Sequence, residues 1–208
     1  MSKIDLKKEL KHLYQPSPNE VVLVDVPLMN FLMIDGRGDP NRTQEFQEAM
    51  EALYGVSYGI KFALKQQNIG PEYTVMPLEG LWWMPGSEEI DLEARDKWLW
   101  TLMIMQPDHI TGEVVERATD QLKEKKDPPG LSGIRFEPFH EGLSTQIMHI
   151  GPYAEEGPTI QRIHDFAKEQ GYRLRGKHHE IYLGDPRRTK PERLKTVLRQ
   201  PIKIKVIS

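Results

Sequence analysis

The chain of 208 residues is 38% hydrophobic and 28% charged, enough to bury a core in one large domain or two fused lobes. A net charge of -3 and a pI near 6.2 exclude the chain-wide basic footprint of a nucleic-acid-coating protein. The absence of cysteine excludes a disulfide framework, a thiolate nucleophile and a cysteine-ligated zinc, and fits a reducing, cytoplasmic setting.

Residues 1–18 read as a helical extension ahead of a domain spanning 19–208. Lysines alternate with Ile4, Leu6, Leu10 and Leu13, the pattern of a short amphipathic helix rather than the unbroken apolar core of a signal peptide. No run approaches the roughly 18 apolar residues of a membrane-spanning helix. Val21 to Val26 is β-branched and nearly all apolar, hence a strand, and Phe31 to Asp35 is a second one, ended by Gly36-Arg37-Gly38-Asp39-Pro40. Thr43 is placed to cap a helix whose stripe is Phe46, Met50, Leu53, Ser57, Ile60 and Leu64, stopped by Asn68-Ile69-Gly70-Pro71. Two strands follow, Tyr73 to Met84 and Lys97 to Met105, around a loop from Pro85 to Glu89. Alternation puts Trp98, Trp100, Leu102 and Ile104 on one face.

Thr111 opens a helix to about Lys125 with the stripe Val114, Val115, Ala118 and Leu122, and Asp127-Pro128-Pro129-Gly130 marks a boundary. The order then repeats. Leu143 to Ile150 is a strand, Gly151-Pro152-Tyr153 a turn, and Pro158 starts a helix buried through Ile160, Ile163 and Ala167 and closed by Gly171. His178 to Leu183 and Leu194 to Val206 supply the last strands. Both halves end on a strand passing through Gln-Pro, at Gln106-Pro107 and Gln200-Pro201. The shared order implies an α+β fold made by duplicating a βαββ unit, with repeats over about 20–107 and 131–208 and a linking helix over 108–130.

Chemistry concentrates in His178-His179-Glu180-Ile181-Tyr182. On a strand, His178, Glu180 and Tyr182 share one face while His179 and Ile181 share the other. The first set is either a polar cluster capable of acid–base work or the solvated face of an edge strand. No metal site is expected: His178 and His179 point to opposite faces, and His140, His149 and His164 lie on separate elements. The glycine turns lack the P-loop lysine and the dinucleotide pattern, so no nucleotide cofactor is implied, and there is no G-x-S-x-G elbow to carry a serine nucleophile. The adjacent Trp82 and Trp83 must face opposite sides of their strand. These rings serve either as core or as walls of a concave site for flat or cationic ligands.

Three segments carry a resemblance to stand-alone GyrI-like proteins: Leu78-Glu79-Gly80-Leu81-Trp82-Trp83, His149-Ile150-Gly151-Pro152-Tyr153, and His178 through Pro186. The tail from Lys190 to Pro201 resembles the family's end as well, so that the similarity covers nearly the whole chain from about Val21. The resemblance implies an antiparallel sheet with helices on one side and a ligand groove between the halves. It implies a pocket glutamate at Glu180, acting in charge recognition or as the catalytic group. Trp82, Trp83, Tyr153, Tyr182 and Tyr58 are its implied ligand-lining residues, each with core packing or solvent exposure as the alternative. Relatives of this type bind cationic aromatic drugs as effector domains of multidrug-sensing regulators, and some hydrolyse cyclopropane-bearing DNA alkylators of the yatakemycin type. The implied partner is therefore a flat, hydrophobic, often cationic small molecule, without metal or cofactor. A drug-sequestering module without chemistry and a protein inhibitor of a DNA topoisomerase are the competing functions. The sensors' helix-turn-helix pair has no counterpart before Val21, which argues against direct nucleic-acid binding.

Overall fold

The structure, a computed structural model, describes residues 3–87 and 90–205; Glu88, Glu89 and Val206 of the expected loop and last strand lie outside them. In chain order the elements are α1 (Leu6–Glu9), α2 (Lys11–Tyr14), β1 (Val22–Arg37), α3 (Gln44–Gln67), β2 (Glu79–Trp83) and β3 (Leu99–Gln106). They continue with α4 (Gly112–Lys125), β4 (Arg135–Ile150), α5 (Gly157–Glu169), β5 (Tyr172–Leu174), β6 (His178–Tyr182) and β7 (Lys195–Ile204). Two βαββ halves are thus present, β1-α3-β2-β3 and β4-α5-β6-β7, with β5 inserted after α5. In each half the first strand pairs with the last and the last pairs with the middle one, all antiparallel.

The halves join edge to edge twice, β1 to β4 and β2 to β6, so the strand order β4-β1-β3-β2-β6-β7 returns from β7 to β4. These six strands close into a ring, which leaves β5, paired with the end of β7 alone, as the edge strand. β6 is an interior strand, paired on both sides, not the edge strand that its polar residues allow.

β1 runs unbroken where the residue pattern suggests two strands. Pro27, which lacks an N–H, lies in a stretch paired to β4 alone, because pairing with β3 begins at Asn30. The partner strand turns there through Gly142, at φ +69°. Burial changes phase across this kink: Val24 and Val26 are buried before it, Met29, Phe31 and Met33 after it. In contrast, β2 is shorter than the Tyr73–Met84 expected. Only Glu79–Trp83 finds partner strands, and Tyr73 makes an isolated parallel bridge to Ile4.

The helix of each repeat, α3 and α5, packs on the outside of the ring. α3 presents Ala49, Ala52, Leu53, Val56 and Ile60, all buried, to β1 and β3; its small alanines allow close approach. It ends where Asn68 takes the left-handed conformation (φ 54°). α5 lays Ile160 and Ile163 on Ile147 and Leu198, while α4 packs on α3. Trp100 is fully buried on the α3 side, and its indole covers Gly36 so closely that a Cβ there would lie 2.1 Å from the ring. Among the described residues no helix is long and apolar enough to cross a membrane.

Candidate functional site

The outer face of the sheet between α3 and α5 collects residues from both halves. Glu180 on β6 is paired across the half-to-half seam with Gly80 on β2. A glycine there leaves space: a Cβ would come within 2.7 Å of the Trp82 indole nitrogen and 3.1 Å of the Tyr182 hydroxyl. Trp82 Nε1 donates to Tyr182 Oη (3.1 Å), and that hydroxyl donates to Glu180 Oε2 at 2.7 Å. His178 Nε2 lies 3.4 Å from the other oxygen, Oε1. The Glu180 side chain is 13% exposed, so its carboxyl is held in place at the edge of solvent. Burial, followed by the neighbouring Glu180, raises the Tyr182 hydroxyl well above its ordinary pKa, so it stays a donor.

Aromatic rings surround this relay. Phe46 of α3 stacks on Trp82 (6.0 Å between centroids), Trp98 meets Trp82 edge-on at 5.4 Å, and Tyr153 meets Tyr182 edge-on at 5.6 Å. Residues 90–98 cross from one half to the other. Leu92 touches the hydrophobic clusters of both helices, and Trp98 Nε1 is tied to the Asp91 carbonyl at 2.8 Å. A hollow of about 580 Å³ lies beside this strap, lined by Arg42 and Thr43 at the start of α3 and by Leu92 and Arg95.

A second acid faces the same place. Glu156, at the entry to α5, is 4% exposed, and its Oε1 has no hydrogen-bond partner. Thr196 Oγ1 lies beside the Glu156 carboxyl without reaching hydrogen-bonding geometry, and it too has no partner. Burial, then repulsion from Glu180, raises the Glu156 carboxyl to about 9. The rows of the sheet explain the convergence: His149, Thr196 and Tyr182 are register neighbours across β4, β7 and β6. Burial lowers the His149 imidazole, which bonds Thr159 Oγ1 at 3.0 Å through Nδ1.

The inner face of β6 carries a different cluster. His179 Nε2 meets Glu79 Oε2 at 2.9 Å, and its Nδ1 meets Glu141 at 3.0 Å. Arg199 Nη1 reaches Glu141 Oε2 at 3.0 Å, its Nε reaches Gln146, and its Nη2 donates to the Leu13 carbonyl at 2.8 Å. Tyr14 Oη donates to Glu79 Oε1 at 2.8 Å. The N-terminal segment thereby plugs the ring, with Leu13 and Tyr14 at 1% exposure or less. Burial pushes the Glu141 carboxyl up, but His179 and Arg199 more than offset it and hold it down at about 2. For His179 burial works downward, and Glu141 with Glu79 prevails, raising it to about 9.

Of the residues singled out from the sequence, Glu180, Trp82, Tyr182 and Tyr153 come together. Trp83 does not. It faces the inner side of β2, at the mouth of the ring, with Lys177 Nζ 3.4 Å above its centroid. Tyr58 is 43% exposed on α3, stacked between Tyr54 and Phe62. Glu156, Thr196 and the His179 cluster are absent from the sequence reading. Glu156 stands beside Gly157-Pro158 and looks like an ordinary acid at a helix start. Among the described residues no group of three or more histidines and carboxylates could hold a metal ion.

The chain matches the family model of the GyrI-like small-molecule-binding domain over residues 19–203. No curated protein is matched. Among solved structures, an uncharacterized conserved protein from Listeria innocua is 42% identical, with 96% of this chain and all of that one aligned and a TM-score of 0.89. A hydrolase from Listeria innocua is 40% identical over 97% of this chain and all of its own length, with a TM-score of 0.86. The C-terminal domain of EcmrR, 12% identical over 89% of this chain and 98% of its own, shares the fold at a TM-score of 0.55. On its sequence and on its fold, the chain belongs to the GyrI-like small-molecule-binding domain family.

Proposed function

We propose that the outer groove binds flat, hydrophobic, often cationic small molecules through Trp82, Tyr153, Tyr182 and the carboxylate of Glu180, and hydrolyses cyclopropane-bearing alkylating toxins among them. One observation carries this reading: a nearly buried carboxylate, oriented by a tyrosine, faces a glycine in an aromatic setting. Aromatic faces favour planar ligands, and the carboxylate complements a cation. The 40% identical hydrolase supports a reaction with water.

In that reaction Glu180 takes a proton from a water molecule as the water oxygen bonds to the cyclopropane methylene. The strained C–C bond breaks, its electron pair moves onto the ligand's conjugated carbonyl, and that oxygen is protonated in turn. Tyr182 positions the base, since its hydroxyl occupies one carboxylate oxygen and leaves the other toward His178. Detoxification follows from the loss of the electrophilic ring. Mass spectrometry after incubation with cyclopropane-bearing and cationic aromatics tests the proposal. The expected products are the ring-opened compounds with one water added. Saturable binding with every compound recovered unchanged would reduce the function to sequestration.

A further inference from the structure

Glu156 is left over when the relay through Glu180 has been described. It is a carboxyl, 4% exposed, with one oxygen unpartnered, and it lies within the electrostatic reach of a second carboxyl, Glu180. The groups facing it come from every neighbouring element. They are Glu180 and Tyr182 from β6, Thr196 from β7, Tyr153 from the turn before α5, and Arg95 from the strap; His149 of β4 sits under the same field of Glu180. Arg95 is engaged elsewhere: its Nε donates to the Leu92 carbonyl and its guanidinium lies 5.4 Å from the Trp98 centroid. Two acids therefore lie near each other in a largely buried space, and among the described residues no ion pair to an arginine or lysine balances either of them, whereas in the inner cluster Glu141 has both Arg199 and His179 and Glu79 has His179. Two like charges in such a space are resolved by a proton or by an incoming cation.

We propose that Glu156 is a second carboxyl of the ligand site, which keeps a proton while no ligand is bound and releases it to solvent when a monocationic ligand enters beside Glu180. The inference rests on the ligand-binding reading above. The exchange balances: one positive charge enters, one proton leaves the Glu156 carboxyl for a buffer base, and the charge of the groove is unchanged. A neutral ring of the same shape brings no charge and displaces no proton. Specificity follows as well. Cation affinity rises with pH until Glu156 is ionised in the free protein, near 9, and then levels off.

Calorimetric titration of the full chain with 10-methylacridinium, a permanent cation, and with acridine, its neutral counterpart, tests this in phosphate and in Tris. At about pH 8, where acridine is uncharged, the cation should release close to one proton, and its affinity should rise by up to about tenfold per pH unit below that range. Acridine should show no buffer-dependent heat. Glu156→Gln should bind the cation with the proton release gone and the pH dependence flattened. Cation binding that is weakened by Glu180→Gln yet independent of buffer in the wild-type protein would overturn the role of Glu156 alone. Proton release that persists in Glu156→Gln would overturn it too. A cation that fails to bind, or binds Glu180→Gln as tightly as wild type, would overturn the ligand-binding reading and this inference together. The wild-type buffer comparison needs no variant to fold.

Discussion

β6 shows two solutions to burying charge, one on each side of a single strand. Facing inward, His179 joins Glu79, Glu141 and Arg199 in a cluster of two acids and two bases, tied to Tyr14 and Gln146, and none of these side chains is left without a partner. Facing outward, His178, Glu180 and Tyr182 share space with Glu156 and Thr196, where the carboxyls outnumber the bases and several polar atoms are unpartnered. A satisfied cluster fixes the register of four strands and the N-terminal plug. An unsatisfied one is incomplete until something of complementary charge arrives. Stability should therefore depend on the inner face, and ligand recognition on the outer.

The largest effect should come from the inner cluster. Arg199→Met keeps much of the volume and leaves Glu141 with His179 as its one remaining cationic partner, and the lost bonds to Gln146 and to the Leu13 carbonyl loosen the plug. Breaking one partner of such a buried pair costs about 3–5 kcal/mol, because the remaining charge stays buried. Urea denaturation should show that loss, while Glu180→Gln on the other face should remain within about 1 kcal/mol of wild type, since the amide keeps the shape and can still accept from Tyr182. Equal losses in the two variants would erase the distinction between the faces.

Next in size is recognition. Glu180→Gln should weaken cationic planar ligands by about 1–3 kcal/mol, the worth of a charged hydrogen-bonding partner. Neutral planar ligands should change far less. Turnover with a cyclopropane-bearing substrate should fall by roughly a hundredfold or more, the low end of a general base's contribution. A uniform loss across both ligand classes would make Glu180 structural.

The two faces also titrate differently. Glu156 sits at about 9 in the folded protein against an ordinary 4.5, so the native state holds a proton that the unfolded chain releases, and stability falls as pH rises between those values. His179 is likewise raised, from 6.5 to about 9; its contribution is complete below 6.5 and disappears as pH rises through 9. Glu141, held near 2, contributes above 4.5 and fails only as pH falls through 2. Between pH 4.5 and 6.5 the slope thus belongs to Glu156 among these groups. Glu156→Gln should flatten it, gaining on wild type by up to about 1.4 kcal/mol per pH unit. Parallel stability–pH curves for the two proteins would show that Glu156 does not hold that proton.

Much of this was legible in the residues. The stripes of α4 and α5 locate both helices to within a residue or two, and alternation alone puts Glu180 and Tyr182 on the same face. The long strands were less so, because Pro27 and Gly142 interrupt the pattern where β1 and β4 bend together. β5 is three residues paired with the end of β7 and carries no periodic signal. The inner cluster was illegible for a different reason. His179 gives no hint that its partners stand 100 and 38 residues away on β2 and β4, since closure of the ring, not local sequence, brings them together. The same holds for Glu156, whose meaning comes from what faces it.

The smallest effect separates two adjacent tryptophans. Alternation along β2 sends Trp82 outward, 2% exposed, to donate to Tyr182, and sends Trp83 inward beneath Lys177. A ligand that stacks in the groove comes near the first indole and is screened from the second by the sheet itself. Trp82→Phe keeps a ring for Phe46 to stack on but removes the N–H that holds Tyr182, so the relay to Glu180 loses one bond. Affinity should drop by only about 0.5–1.5 kcal/mol, the net worth of a single hydrogen bond. Fluorescence is the more telling readout. Quenching by a planar cation should persist in Trp83→Phe with unchanged affinity, and it should lose most of its amplitude in Trp82→Phe. Trp98, edge-on to Trp82, accounts for the remainder. If Trp83→Phe instead removed the quenching, the ligand would lie at the mouth of the ring, and the outer face would be only the support of the helices.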